Sequence, residues 1–145
     1  MQLERYNDFD AFVERIQDAE LDCIPGAVEV ADWQLCQFAL GQLHLQVGFE
    51  GGASICKGAI QPDGVALFLP LTNAVAQKVN GIPLDQGSVA VLEGEVCIGT
   101  RKNYEWCALC IPRDQLARRV EGKREPRLDD NRSIGQTVFS DRRDT

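Results

Sequence analysis

Alternating apolar and polar positions dominate the middle of the chain. Leu43, Leu45, Val47 and Phe49 alternate with polar or small residues, which is the period-two pattern of a half-buried strand. Other runs, such as residues 65–71, are apolar at nearly every position, as in a strand that is covered on both faces. The region therefore combines half-buried strands with fully buried ones.

Turn signals separate these strand-sized runs between residues 27 and 112. They occur at Glu50-Gly51-Gly52, Pro62-Asp63-Gly64, Asn80-Gly81, Asp85-Gln86-Gly87 and Glu93-Gly94. No helix-length pattern interrupts the series, which disfavours a parallel sheet with crossover helices. We expect a mainly β fold, either an antiparallel barrel or a two-sheet sandwich.

Helical patterns lie on both sides of this region. Between residues 7 and 19 one apolar stripe has helical spacing, and Asn7 or Asp8 can cap it. The stripe comprises Phe9, Phe12, Val13 and Ile16. After Pro112, residues 113–120 have helical composition, with Gly122 just beyond their end.

The length of 145 residues, with 44% hydrophobic and 26% charged residues, is typical of one globular domain with an appendage. We assign residues 1–120 to a β-barrel domain and residues 121–145 to a linker or docking tail. No apolar run approaches the roughly 18 residues of a membrane span, and no signal-peptide core follows Met1. We therefore expect a cytoplasmic protein without a membrane partner.

Charge is unevenly distributed along the chain. Residues 1–112 hold 15 acidic and 6 basic residues, a net charge of −9, whereas residues 113–145 hold 7 acidic and 9 basic residues, a net charge of +2. An acidic body without a basic stripe repels phosphates. This charge balance disfavours direct nucleic-acid binding by this body, and its partner is expected to be a small molecule or a protein.

A metal or cofactor is not expected. Metal sites in small β-barrels need several imidazoles on adjacent strands, and His44 is the single histidine. It lies with Gln42 and Gln46 on the polar side of its strand, and its simplest interpretation is a satisfied or solvent-facing residue. The same shortage weakens nucleophilic mechanisms that use a histidine base.

The six cysteines are expected to be reduced thiols in the core, because a chain of this length can bury a core without disulfides. Cys107 and Cys110 form a CxxC pattern inside a predicted strand, where their side chains point to opposite faces. Cys23, Cys36, Cys56 and Cys97 are interpreted as isolated residues. An alternative hypothesis is a redox sensor that pairs Cys97 with Cys107 across a hairpin.

Aromatic residues on the predicted strands are candidates for a ligand pocket, because the inner face of a barrel can enclose one small molecule. The candidates, with the histidine, are Trp33, Phe38, His44, Phe68, Tyr104 and Trp106. A second hypothesis is a stand-alone cupin-like enzyme, an isomerase or lyase, with Glu95 or Glu105 as acid and base.

Residues 9–120 resemble the N-terminal sensor domain of AraC-type transcription regulators. The segments that carry the resemblance are Asp8-Phe9-Asp10-Ala11-Phe12, Leu40-Gly41-Gln42-Leu43-His44-Leu45-Gln46, Leu67-Phe68-Leu69-Pro70-Leu71, Val79-Asn80-Gly81 and Cys110-Ile111-Pro112-Arg113-Asp114-Gln115-Leu116. The resemblance covers about three quarters of the chain at the level of pattern.

The resemblance implies a cupin-like antiparallel β-barrel of jelly-roll type, with a short N-terminal helix and one or two C-terminal helices. It implies a non-enzymatic domain that binds a small effector, forms a homodimer, or does both. Leu116 and Val120 are the candidate dimerisation or inter-domain residues. DNA would be bound only by a C-terminal helix-turn-helix domain, for which residues 121–145 leave no room.

Overall fold

The computed structural model describes residues 2–26, 32–72, 77–85, 87–120 and 136–140. The helices are α1 (Phe9–Arg15) and α2 (Arg113–Val120). The strands are β1 (Gln2–Tyr6), β2 (Ala19–Pro25), β3 (Trp33–Leu40), β4 (Leu43–Glu50), β5 (Ser54–Ile60), β6 (Gly64–Pro70), β7 (Gln77–Val79), β8 (Ile82–Leu84), β9 (Ser88–Leu92), β10 (Glu95–Thr100), β11 (Tyr104–Pro112) and β12 (Gln136–Ser140).

Two antiparallel sheets form the body, which confirms the mainly β prediction. The larger sheet has the order β1-β3-β4-β11-β6-β9-β12, and the smaller has the order β2-β5-β10-β7-β8. Within the described residues the two sheets are separate hydrogen-bonded units, and no closed barrel forms. The consecutive strands β10 and β11 belong to different sheets, so the chain crosses between layers there.

The hydrophobic core lies between the two sheets. Both sheets and α1 contribute to it, and its largest fully buried side chains are Tyr104, Phe12, Leu35, Leu84 and Leu92. Phe9 of α1 packs against Trp33 of β3, with ring centroids 5.5 Å apart. The apolar stripe predicted for this helix therefore faces the core, as amphipathic periodicity requires.

Helix α1 is shorter than the predicted segment of residues 7–19. Asp8 caps it by accepting a hydrogen bond from the Asp10 backbone N–H at 3.2 Å. The helix ends at Arg15, because Ile16 is extended and the backbone N–H of Gln17 donates to the Gln46 side chain instead of to the helix. The chain then enters β2 at Ala19, an alternating strand that the predicted elements do not include.

The predicted turn at Asn80-Gly81 is confirmed as the hairpin that joins β7 and β8. Both residues have positive φ, 49° and 80°, which is the conformation that Asn-Gly adopts in a two-residue hairpin turn. Turn chemistry at this position is therefore readable from sequence alone.

The predicted helix at residues 113–120 is confirmed as α2, which packs beside β11. In the tail, β12 pairs antiparallel with β9 at the edge of the larger sheet. The rest of residues 121–145 lies outside the described residues. None of the helices in the described part of the chain is long and apolar enough to cross a membrane.

Candidate functional site

A partly enclosed cavity of about 70 Å³ lies between the two sheets. Its walls are mostly apolar side chains from both sheets and from α1, among them Phe12, Leu21, Ile60, Phe68, Leu92 and Val96. Sites for small molecules in proteins are typically apolar clefts with a few placed polar groups. The polar residues of this cavity therefore define the candidate site.

Strand β4 turns its polar face toward the cavity. Gln46 and Glu50 are buried, at 3% and 6% exposure, and both line the cavity. Leu45, Val47 and Phe49 lie on the outer face of the same strand and are half-buried there. The predicted alternation is confirmed, but the interpretation of the Gln46 side of β4 as solvent-facing is wrong, because this polar face is the buried one.

Glu50 is a buried carboxylate that is held by neutral donors. The Ser54 Oγ donates to Oε1 at 3.0 Å, and the Trp106 Nε1 donates to Oε2 at 2.9 Å. Ser54 also lies 3.1 Å from the Thr100 hydroxyl. We call Glu50, Ser54 and Thr100 the Glu50 cluster, which sits at the end of the cavity where β5 begins and β10 ends.

Burial raises the pKa of Glu50 to about 6, although the hydrogen bonds from Ser54 and Trp106 act in the opposite direction. Removal from water disfavours the charged form more than these two neutral donors favour it. The carboxyl therefore changes its charge close to neutral pH.

The Trp106 ring is positioned by the absence of a side chain on its neighbour in β4. A Cβ at Gly48 would lie 2.3 Å from the Trp106 Cζ2 and 2.9 Å from its Nε1. On the β6 side, the ring stacks with Phe68 at a centroid distance of 5.7 Å. Gly48 and Phe68 together direct the indole N–H to Glu50.

Two more polar aromatic side chains lie next to Glu50. Trp33 and Tyr104 occupy the strand positions directly opposite it, on β3 and β11, and both are fully buried. Within the described residues, the Trp33 Nε1 and the Tyr104 hydroxyl have no hydrogen-bond partner. Burial, and secondarily the charge of Glu50, raises the pKa of Tyr104. Buried polar groups without partners are uncommon. Apolar packing alone therefore does not account for these two polar groups beside Glu50.

Two glutamine side chains form hydrogen bonds to the segment after α1, at the end of the cavity away from Glu50. The Gln46 side chain accepts from the Gln17 N–H at 2.9 Å and donates to the Gln17 carbonyl at 3.0 Å. Gln37 donates to the Arg15 carbonyl at 2.6 Å and to the Gln46 Oε1 at 3.0 Å. We call residues 16–18 the mouth segment, since all three line the cavity.

His44 holds the mouth segment as well. Its Nδ1 lies 2.9 Å from the Asp18 carboxylate, and Asp18 has a φ of 66°, in the left-handed region that disfavours most side chains. His44 itself is not among the residues that line the cavity. Its observed contact is to the protein, as a positioning residue for the mouth segment.

The structure distributes the remaining predicted pocket residues over three environments. Phe68 and Trp106 line the cavity. Trp33 and Tyr104 lie in the core beside Glu50, without lining the cavity. Phe38 is half-buried on the outer face of β3, because strand alternation places it opposite to Trp33 and Leu35.

The sequence reasoning overlooks the whole Glu50 cluster. Glu50 belongs to the turn signal Glu50-Gly51-Gly52, which draws attention to the turn and away from the side chain. The alternation along β4 nevertheless places Gln46, Gly48 and Glu50 on one face. Once this face of β4 is known to be the inner one, the alternation identifies Glu50 as a buried residue.

The candidate dimerisation residues lie on α2, beyond the last body strand. Leu116 is half-buried there. Val120 is the last residue of the helix, and its side chain lies outside the described residues. The structure therefore places both on the predicted helix and does not test their role.

The expectation of six reduced, isolated cysteines is wrong for Cys23 and Cys56, which form a disulfide. They occupy directly opposite positions on β2 and β5. The missed strand β2 explains the error, because its pairing with β5 brings together two cysteines that are 33 positions apart. Cys56 also lines the cavity.

The hypothesis that Cys97 pairs with Cys107 is also wrong. Cys97 lies on β10 of the smaller sheet, and Cys107 lies on β11 of the larger sheet, each on an outer face. Cys110 faces the cavity, so the CxxC side chains point to opposite faces as predicted. Burial raises the pKa of both Cys107 and Cys110, which disfavours the reactive thiolate.

The carboxylates of the enzyme hypothesis do not converge. Glu95 and Glu105 are exposed and lie on different sheets, and neither lines the cavity. Glu50 and Asp18 do line it, but at opposite ends. In the described parts of the chain, no group of three or more metal-ligating side chains is placed to hold an ion.

We expect the stability of the protein to fall as the pH rises from about 4.5 to above 6. The pKa of Glu50 is higher in the folded state, so the folded state binds its proton more tightly, and deprotonation favours unfolding. A rise from 4.5 to about 6 corresponds to about 2 kcal/mol of unfolding free energy. Urea unfolding of the wild type and of Glu50→Gln at pH 3.5 and pH 7.5 measures this contribution as the difference between their pH profiles.

The exposed residue Glu105 provides the matched control. Glu105→Gln removes a carboxyl outside the cavity and should retain the full pH dependence. If Glu50→Gln shows the same loss of stability with pH as the wild type, the buried carboxyl is not the group that titrates.

The chain was compared with models of protein families, with curated proteins and with solved structures. No significant match was found in any of the three comparisons.

Proposed function

We propose that this chain is a regulatory sensor domain that binds a small molecule in the cavity between its two sheets. The observation that carries the proposal is the Glu50 cluster, in which three buried polar side chains face an apolar cavity. Each Glu50 oxygen accepts one hydrogen bond from the protein and has capacity for another, so a ligand that donates to this carboxyl would gain affinity. We propose no catalytic role for the domain.

The sensor domains of AraC-type regulators are the class that this proposal favours. The short helix α1 near the start of the chain, between β1 and β2, and the helix α2 directly after β11 support this proposal, although β1 precedes α1. We further propose that the sandwich is a cupin-like jelly roll. DNA binding would then belong to a separate domain of the regulator, because the acidic body described here disfavours it. We propose that the regulator acts in the cytoplasm.

A ligand can regulate such a domain only by binding one state better than another. The mouth segment could adopt a different state when a ligand binds, since it lines the cavity and joins α1 to β2. Coupling between two sites is typically about 1 to 3 kcal/mol. We propose that occupancy of the cavity acts through this segment on a homodimer or on a neighbouring domain, with α2 as the contact.

We expect isobutanol, used as a small neutral probe, to bind in the cavity. The best small ligands gain about 1.5 kcal/mol per non-hydrogen atom, so a ligand of roughly five such atoms has a dissociation constant no lower than the micromolar range. Titration by 1H–15N NMR should shift amide signals of cavity-lining residues with saturation at millimolar probe.

The variant Ala108→Leu serves as the control, because Ala108 lines the cavity and a larger side chain there fills it. It should abolish the shifts while the rest of the spectrum stays folded. Shifts that are absent in the wild type, or that persist in this variant, would contradict binding in the cavity.

Analytical ultracentrifugation tests the dimer: a monomer at high micromolar concentration, with and without probe, would rule out the homodimer.

A further inference from the structure

We propose that the cavity binds a small aliphatic amine, with its ammonium group at the Glu50 cluster and its alkyl part against the apolar walls. This inference rests on the proposed function, since it specifies the ligand of the same cavity. It is argued from the charges, the hydrogen-bond capacity and the volume of the site.

The first argument is the uncompensated charge of Glu50. Its two hydrogen-bond donors, Ser54 and Trp106, are neutral. In the described part of the chain, no basic side chain forms an ion pair with it. A buried carboxylate is stable when it is paired with a cation and hydrogen-bonded. A ligand ammonium would supply the missing cation.

The second argument is the number of acceptors. An ammonium group carries three N–H donors and no acceptor. Each Glu50 oxygen accepts one hydrogen bond from the protein, and a carboxylate has capacity for about four. The hydroxyl oxygens of Ser54 and Thr100 add further acceptors beside it, and all three residues line the cavity. An alcohol would use a single acceptor, and an anion would be repelled.

The third argument is the size and lining of the space. The cavity volume is about 70 Å³, and about 10 to 15 Å³ of such space is enough to hold one water molecule. This space limits the buried part of a ligand to a few non-hydrogen atoms. Phe68, Leu92 and Ile98 line it, and they suit a short, branched alkyl group.

Three compounds of matched shape test the inference: isobutylamine, isobutanol and isobutyrate. At pH 7.5 the amine is protonated, as an alkyl ammonium group has a pKa near that of lysine, about 10.4. We expect NMR or calorimetric titration to give isobutylamine at least a tenfold lower dissociation constant than isobutanol, and no binding of isobutyrate. Glu50→Gln should weaken isobutylamine at least tenfold more than it weakens isobutanol, because only the amine loses an opposite charge.

Glu105→Gln is the matched control, and it should leave all three affinities unchanged. If isobutanol binds the wild type as tightly as isobutylamine, or if Glu50→Gln keeps the amine affinity, the amine assignment is wrong while the cavity remains a binding site. If isobutyrate binds best, the cavity prefers an anion and the assignment of a cationic ligand is wrong. If none of the three binds at millimolar concentration, both the assignment and the proposed function are wrong.

Discussion

Reduction of the Cys23–Cys56 disulfide will lower the free energy of unfolding by about 3 to 4 kcal/mol. The bond closes a loop between residues 33 positions apart, and closing a loop of this length restricts the unfolded chain by about that amount. It also fastens β2, an edge strand of the smaller sheet, to β5. Urea unfolding with and without dithiothreitol measures the difference.

The double variant Cys23→Ala/Cys56→Ala is the control, and its stability should not respond to the reductant. Since Cys36, Cys97, Cys107 and Cys110 are free thiols, a thiol assay on the unfolded, unreduced protein should detect four of the six cysteines. Detection of all six without reductant would mean that the bond does not form in solution.

Gly48→Ala will destabilise the protein by about 3 kcal/mol and disrupt the cavity. Its Cβ would lie 2.3 Å from the Trp106 ring, and this ring cannot retreat because it stacks on Phe68 and is almost fully buried. Overpacking of this kind costs roughly 1 to 3 kcal/mol. Loss of the indole hydrogen bond to Glu50, a bond to a charged group, adds roughly 1.5 to 3 kcal/mol where it is not remade.

The change is measured by urea unfolding, together with near-ultraviolet circular dichroism of the tryptophans. Gly99→Ala is the matched control, because Gly99 also lies in a strand and a Cβ there meets nothing within 4 Å. It should change the stability by less than about 0.5 kcal/mol, as surface substitutions usually do. Equal stability of Gly48→Ala and Gly99→Ala would contradict the close packing of Trp106 on β4.

Local patterns account for the parts of the fold that sequence reasoning predicts well. The helix at residues 113–120 and the hairpin turn at Asn80-Gly81 depend on neighbours in the chain, so composition and turn chemistry identify them. The strands β1 and β2 lie at sheet edges, where long-range pairing with β3 and β5 stabilises them. The five residues of β1 show no alternation, so the sequence does not reveal this strand. In β2, residues 19–23 do alternate between apolar and acidic side chains, so this strand is overlooked although its pattern is present.

In the candidate site, too, some residues are predicted from the local sequence pattern and others are placed only by long-range contacts. Phe68 and Trp106 are predicted pocket residues that do line the cavity, because aromatic residues on strands usually face a core. Glu50 is overlooked because a carboxylate beside two glycines has the composition of a solvent-exposed turn. Its burial depends on Trp106, which is 56 positions away in the chain.

The sequence by itself determines the mainly β architecture, the amphipathic start of the chain, α2 and the alternation of β4, since each depends on residues close together in the chain. The tertiary structure alone decides which face of β4 is inside. Hydrophobicity alone would place the apolar face of β4 inside, yet its polar face with Gln46 and Glu50 is the buried one. The choice is made by packing against the smaller sheet, which buries Glu50 with Ser54 and Thr100 and leaves Val47 and Phe49 on the outer face.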